Sequence, residues 1–168
     1  MSSTEKATIQ VGEELPEADF LHIVVDDEGK ESVGSYKLEL TNKKIILFGL
    51  PGAFTPTCSA RHLPGFVEDY EKLKGKGVDA IYCISVNDPF VMHAWGKDQK
   101  VQDKVTLLAD GGAQYVTALG LSKDTGKFGG IRSERFVLVA ENGVVKHVAI
   151  DEQGKFEVSS SEAVLAFV

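Results

Sequence analysis

Cys58 is one of only two cysteines in the chain, and the stretch around it, PGAFTPTCSARHLPGF from Pro51 to Phe66, sets a thiol between a proline-containing loop and a helix-forming run. A cysteine in the first turn of a helix, just beyond the carboxyl end of a buried strand, lies where open α/β sheets bind ligands and substrates. The unpaired N–H groups and positive dipole end of such a turn favour thiolate over thiol, and the thiolate is the nucleophile. The competing reading is a small buried hydrophobe, the usual state of an intracellular cysteine. Prolines at 51 and 56 and hydroxyls at 55, 57 and 59 favour the nucleophile. His62, four residues further on, shares the helix face of Cys58 and either tunes the thiolate or packs beside it. Packing in support of the thiol ranks first, because proton transfer needs hydrogen-bond reach that spacing does not establish. Cys83 sits inside the apolar run VDAIYCISV, where a thiol is ordinarily inert core.

The elements that must position Cys58 follow from the hydrophobic pattern. KKIILFGL, Lys43 to Leu50, is a continuous apolar run led by lysines, as expected of a central strand buried on both faces and pointing at Pro51. Leu63, Phe66, Val67, Tyr70 and Leu73 recur at helical spacing and predict a helix that stops near Gly75 and Gly77 and is kinked at Pro64. A strand over Val78 to Val86 and a helix capped by Asp88 and Pro89 follow, then a strand over Val105 to Asp110 and a short helix ending at Gly120. Upstream, Asp27-Glu28-Gly29 joins two β-prone runs into an edge hairpin. Downstream, a glycine-rich loop leads to a hairpin turning at Asn142-Gly143. Ser159 and Glu162 form a capping-box pattern for a closing amphipathic helix. Parallel strands with helical crossovers, a hairpin and a last helix predict an α/β thioredoxin-like fold, a mixed central sheet with helices on both faces. Nothing repeats, and 168 residues make one domain over residues 1–168.

Composition narrows the class. With 43% hydrophobic and 26% charged residues the chain is an ordinary globular protein, and a net charge of −7 argues against nucleic acid or an anionic membrane as partner. Two cysteines are too few for a disulfide framework, which points to a reducing compartment. The opening MSSTEKATIQ has no signal-peptide or transit-peptide pattern, so a cytoplasmic location is expected, although a trimmed organellar form would read the same way. No metal site is expected from two cysteines and four scattered histidines, and no cofactor from Gly111-Gly112 or Gly129-Gly130, which lack phosphate-loop and dinucleotide spacing.

The residues around Cys58 also carry a family likeness. Pro51-x-x-x-Thr55-x-x-Cys58 resembles the active-site motif of peroxiredoxins. Gly52-Ala53-Phe54, His62-Leu63-Pro64-Gly65-Phe66, Ser85 to Phe90, Trp95-Gly96 and Arg135-Phe136 resemble the type II, or peroxiredoxin-5-like, branch, a likeness running from about Val11 onward. The resemblance implies a thiol-dependent peroxidase of hydrogen peroxide and alkyl hydroperoxides, serving antioxidant defence and redox homeostasis. Cys58 would be the peroxidatic cysteine and become a sulfenic acid. Thr55 would hold the peroxide, Arg135 would supply fixed positive charge, and Pro51 would shield the thiolate. Arg132, three residues earlier, is the rival arginine; the family pattern favours Arg135 and leaves Arg132 as a solvated loop charge. Trp95 and Phe54 are expected in core or dimer contacts.

A sulfenic acid must be reduced, and the resolving thiol decides the partners. Cys83 could resolve it only within disulfide range of Cys58, and core filling is the preferred role. In relatives with an internal disulfide the resolving cysteine lies near the terminal helix, where FEVSSSEAVL here has Val158 and serines. A one-cysteine peroxidase is therefore expected, reduced by glutathione with glutaredoxin or by thioredoxin, and assembled as a homodimer. The alternatives are a two-cysteine peroxidase using Cys83 and a non-catalytic redox sensor using Cys58. A thioredoxin-type reductase needs a second thiol where Thr55 stands, and a Cys–His hydrolase would leave the arginine unexplained.

Overall fold

The computed structural model describes residues 7–168. The first six residues of the segment inspected for a leader lie outside the described residues. Seven strands form the main sheet in the order β2-β1-β5-β4-β3-β8-β9. In chain order these are β1 (Asp19–Val25), β2 (Glu31–Lys37), β3 (Lys44–Gly49), β4 (Ala80–Ser85), β5 (Thr106–Ala109), β8 (Phe136–Glu141) and β9 (Val144–Ile150), while β6 (Ser122–Asp124) and β7 (Ile131–Ser133) make a separate ribbon. β3, β4 and β5 run parallel, and β1, β8 and β9 pair antiparallel on either side, so the sheet is mixed. The expected edge hairpin is β1–β2, with Gly29 at a φ of 82°. The Asn142-Gly143 turn joins β8 to β9, both residues at positive φ.

Side-chain alternation along the buried strands builds two cores. Ile45 and Leu47 of β3, Tyr82 and Ile84 of β4, and Phe136 and Leu138 of β8 pack with Tyr115 and Val116 of α4 (Gln114–Ala118) on one face. Ile46, Phe48, Ile81, Cys83, Val137 and Val139 point to the other face. There they meet Phe66 of α1 (Leu63–Glu68), Leu73 of α2 (Tyr70–Gly75), Trp95 of α3 (Pro89–Asp98) and Val164 of α5 (Ser161–Val164). Both faces of the sheet are covered, as the pattern predicts. Asp88 caps α3 by accepting from Val91 N–H at 3.0 Å. Among the described residues no helix is long and apolar enough to cross a membrane.

The structure departs from the sequence reading at three places. The single helix expected from Leu63 to Leu73 is segmented, and the effect of Pro64 lies upstream of it. Because Pro64 has no N–H for the Ala60 carbonyl, the ladder slips by one residue and Leu63 N–H bonds to Cys58 O, making Cys58–His62 a π-helical turn. A second break, at Asp69, separates α1 from α2. The glycine-rich stretch holds the β6–β7 ribbon, so Arg132 belongs to a strand; its Nη1 donates to Val86 O at 2.8 Å. That half-buried, bonded arginine is no solvated loop charge. The last helix is capped by Ser160, which accepts from Ala163 N–H at 3.0 Å, and not by Ser159. Ser159 is buried because it bonds to Asp151 instead.

Candidate active site

Cys58 enters the helical run that begins at Pro56, one loop beyond β3, and the π turn then continues into α1. The loop is held from three directions. Asn87 Oδ1 accepts from Ala53 N–H at 3.0 Å, Thr55 Oγ1 donates to Gly52 O at 2.6 Å, and Ser59 N–H donates to Thr55 O at 3.0 Å. Trp95 Nε1 adds a bond to Ser59 Oγ at 3.0 Å, so this buried indole is core, as expected, and also ties α3 to the turn that carries the thiol. Phe54 is the reverse case, at a φ of 63° with its side chain exposed.

Arg135, the last residue before β8, reaches across to Cys58. Its Nη2 donates to Sγ at 3.3 Å while its Nη1 donates to His62 Nδ1 at 3.0 Å. His62 Nε2 lies 3.0 Å from Ser159 O. A carbonyl only accepts, so Nε2 carries the proton and Nδ1 is left as the acceptor for Arg135. His62 is wholly buried, with its ring against Phe48 (4.8 Å between centroids) and Phe156 (5.1 Å). Burial first, and the Arg135 guanidinium second, push its pKa down to about 3. A neutral imidazole thus orients a charged guanidinium toward a sulfur, and the expected packing role of His62 acquires a direction.

The chain of bonds continues outward. The Asp151 carboxylate, just past β9, accepts from Glu157 N–H and Val158 N–H at 2.8 Å each, and from Ser159 N–H at 3.2 Å and the Ser159 hydroxyl. Burial would raise its pKa, but these four bonds outweigh it and hold the carboxyl below the ordinary range. Asp151 therefore fixes the 151–159 loop whose Ser159 carbonyl sets the His62 tautomer. Sequence reasoning missed Asp151 and misassigned Ser159, since neither residue stands at a motif spacing from Cys58. A lone acid after a strand, followed by serines, reads as an ordinary turn and cap.

Pro51 and Arg135 share a recess of about 140 Å³ beside the thiol-bearing turn. A wider groove of about 710 Å³ between β1, α3 and β5 contains none of the residues singled out for chemistry. Cys58 and Cys83 are both free thiols and both fully buried. Cys83 lies opposite Phe48 of β3, and the alternation of β4 turns it to the same face as Cys58. Burial, with a smaller push from Cys58, raises its pKa well above that of an ordinary thiol. The protonated thiol is a poor nucleophile.

The sequence matches the Redoxin family over residues 10–165. It is 47% identical over 160 residues to peroxiredoxin-2C of Oryza sativa subsp. japonica, covering 95% of this chain and 98% of that one. The crystal structure of reduced Prx3 from Vibrio vulnificus in complex with hydrogen peroxide superposes with a TM-score of 0.86 at 41% identity, over 95% of this chain and 96% of that one. The Plasmodium falciparum antioxidant protein, a 1-Cys peroxiredoxin, superposes at 0.83 with 28% identity, over 93% and 97% of the two chains. The chain belongs to the redoxin family and, within it, to the type II, peroxiredoxin-5-like peroxiredoxins. It is a thiol-dependent peroxidase with the thioredoxin-like fold.

Proposed function

We propose that Cys58 is the peroxidatic residue and that Arg135, Thr55 and Pro51 complete its site, the supporting observation being the 3.3 Å approach of Arg135 Nη2 to Cys58 Sγ. The thiolate attacks one peroxide oxygen, the O–O bond breaks, and the electron pair leaves on the second oxygen, which takes a proton and departs as water or an alcohol. Cys58 is left as a sulfenic acid. Charge moves from sulfur to the leaving oxygen, so a fixed guanidinium at the sulfur stabilises both ends of that movement. The Thr55 hydroxyl proton is directed at Gly52 O, which leaves Oγ1 as an acceptor for the peroxide O–H. Pro51 closes one side of the mouth without offering a donor.

One cysteine suffices on this reading. Cys83 has its proton held on by burial, and no other cysteine exists, so resolution falls to an external thiol: glutathione with glutaredoxin, or thioredoxin. Ile131, 44% exposed, lines the recess between β7 and the Val86–Asp88 loop, and Phe54 of the active-site loop, Phe90 and Phe128 are 54%, 57% and 66% exposed, apolar surface that supports a homodimer. The working assignment is a single cytoplasmic redoxin domain over residues 1–168. Turnover with excess reductant tests the proposal, with thioredoxin and glutathione plus glutaredoxin offered in parallel. Cys58→Ser should abolish it and Cys83→Ala should retain it. After one equivalent of peroxide, peptide mass spectrometry should find Cys58 as sulfenic acid or a glutathione adduct; a dominant Cys58–Cys83 disulfide would refute the one-cysteine cycle.

A further inference from the structure

The chain is acidic overall, with 25 carboxylates against 18 cations, yet the recess beside the thiol-bearing turn collects positive charge. Arg61, Lys123, Arg135 and Lys155 all line it. Their carboxylate neighbours are already engaged. Glu152 pairs with Lys155 at 3.1 Å, and the Asp151 carboxylate is turned inward onto the backbone of residues 157–159. Among the described residues neither Arg61 nor Lys123 is ion-paired. Arg61 is also held in place, its guanidinium lying 4.7 Å over the Phe156 ring. That ring in turn stands 5.1 Å from His62 and 5.9 Å from the guanidinium of Arg135. Arg135 is thus common to the recess and to the Cys58 sulfur.

We infer that this recess is a carboxylate-binding subsite for the thiol that reduces oxidised Cys58, with Arg61 and Lys123 receiving the anionic end of glutathione or a thiol of the same charge. The inference rests on the proposed external resolution of Cys58. Two unpaired cations beside a recess of about 140 Å³ suit one carboxylate end of a tripeptide, leaving its sulfur free to approach the turn. A neutral hydroperoxide draws nothing from them. In the step served, the thiol sulfur attacks the Cys58 sulfenic sulfur, the S–O bond breaks and an S–S bond forms. The hydroxyl leaves with the thiol proton as water. A second thiol then exchanges onto the mixed disulfide, releasing reduced Cys58 and the disulfide of the two small thiols.

The test uses the full chain carrying Cys83→Ser, so that oxidised Cys58 has only an external route to reduction. Reduction rates of peroxide-treated protein are compared for glutathione and for glutathione diethyl ester, which has the same thiol and no carboxylate. The ester measured on each variant controls for folding and for changes at Cys58. Arg61→Glu should lower the glutathione-to-ester ratio about tenfold, and Lys123→Glu, on a different element, should also lower it by several-fold. Added salt should compress the ratio of the unsubstituted recess toward that of the charge-reversed variants. A ratio within twofold of the parent in both charge reversals overturns the subsite. So does an unchanged ratio accompanied by selective loss of activity toward a carboxylated fatty-acid hydroperoxide relative to tert-butyl hydroperoxide, which would assign the cations to the oxidant. Failure of the external-thiol reading shows separately, as a Cys58–Cys83 disulfide in the chain that retains Cys83.

Discussion

Replacing Asp151 by Asn removes one charge and alters one hydrogen-bonding atom in a residue that does not touch Cys58. Its carboxylate accepts four bonds, from the N–H groups of Glu157, Val158 and Ser159 and from the Ser159 hydroxyl. The amide oxygen can keep the first two, which lose their charge assistance at about 1 kcal/mol for the pair. The amide nitrogen then faces Ser159 N–H, donor against donor, and leaves a buried group unpaired at about 2 kcal/mol. The hydroxyl rotates to accept and loses little. Relief of a buried charge returns roughly 1 kcal/mol. The net loss of about 2 kcal/mol corresponds to a fall in Tm of roughly 4–8 °C for a chain of this size. The sign of the pH dependence follows from the lowered pKa of Asp151. The stabilisation is fully present above the unfolded carboxyl pKa of about 4 and is lost as pH falls through the lower folded value. Thermal melts of parent and variant should therefore differ by a constant amount from pH 5.5 to 8 and converge below about pH 4. Because Ser159 O also sets the His62 tautomer, the rate of Cys58 oxidation by hydrogen peroxide in stopped flow should drop several-fold at pH 7. A Tm gap that persists undiminished at pH 3.5, or a normal oxidation rate in a variant that melts as predicted, would refute the link from Asp151 to Arg135.

Further outcomes follow from the same geometry. Arg135→Lys keeps the charge but replaces the rigid pair of nitrogens that bond His62 Nδ1 and Cys58 Sγ with one ammonium on a flexible stem, so peroxide oxidation should slow by about 100-fold with folding intact, as competition kinetics against a second peroxidase would measure. His62, held near a pKa of 3, should stay neutral with its proton on Nε2 from pH 5 to 8; imidazole nitrogen shifts should show no titration in that range, and stability should fall as pH drops below about 6.5, where the unfolded imidazole takes up its proton. Gly49→Ala places a methyl against the Phe136 ring and Ser133 Oγ at the end of β3 and should cost about 3 kcal/mol by urea titration.

The strands were legible because burial on both faces leaves a long apolar run with no competing explanation. KIILFG and AIYCIS became β3 and β4, and Asn142-Gly143 gave its turn, since left-handed backbone at two successive residues admits few other pairs. The place of Cys58 in the first turns of a helical run beyond β3 was legible from the apolar strand and the proline-containing loop before it. The helix after it was harder, because periodicity in side chains does not report the hydrogen-bond register of the backbone. Leu63, Phe66 and Leu73 all reach the core whether the turn below them is α or π. Arg132 and Ser159 were misread for a common reason. Each makes a bond outside any helix or strand repeat, Arg132 across the fold to Val86 O and Ser159 back across its own loop to Asp151, and such a bond leaves no periodic signal in the chain.

The π turn and the 151–159 loop answer the same physical problem from opposite sides. The thiolate proposed for the buried Cys58 needs a cation aimed at it, and a guanidinium has enough freedom to turn toward water instead. On the near side, Pro64 denies Ala60 its α-helical partner, and the ladder widens so that Leu63 N–H closes on Cys58 O. Cys58 and His62 stand at the two ends of that widened turn, and Arg135 spans them with its two terminal nitrogens. On the far side, His62 alone would not suffice, because an imidazole with a free choice of tautomer could present a donor to the arginine and repel it. The Ser159 carbonyl removes that choice, and the buried Asp151 carboxylate removes the freedom of Ser159. The direction of the Arg135 charge is therefore set by backbone groups and one carboxylate more than by Arg135 itself, and substitutions at positions 64 and 151 should reach the sulfur through the same guanidinium.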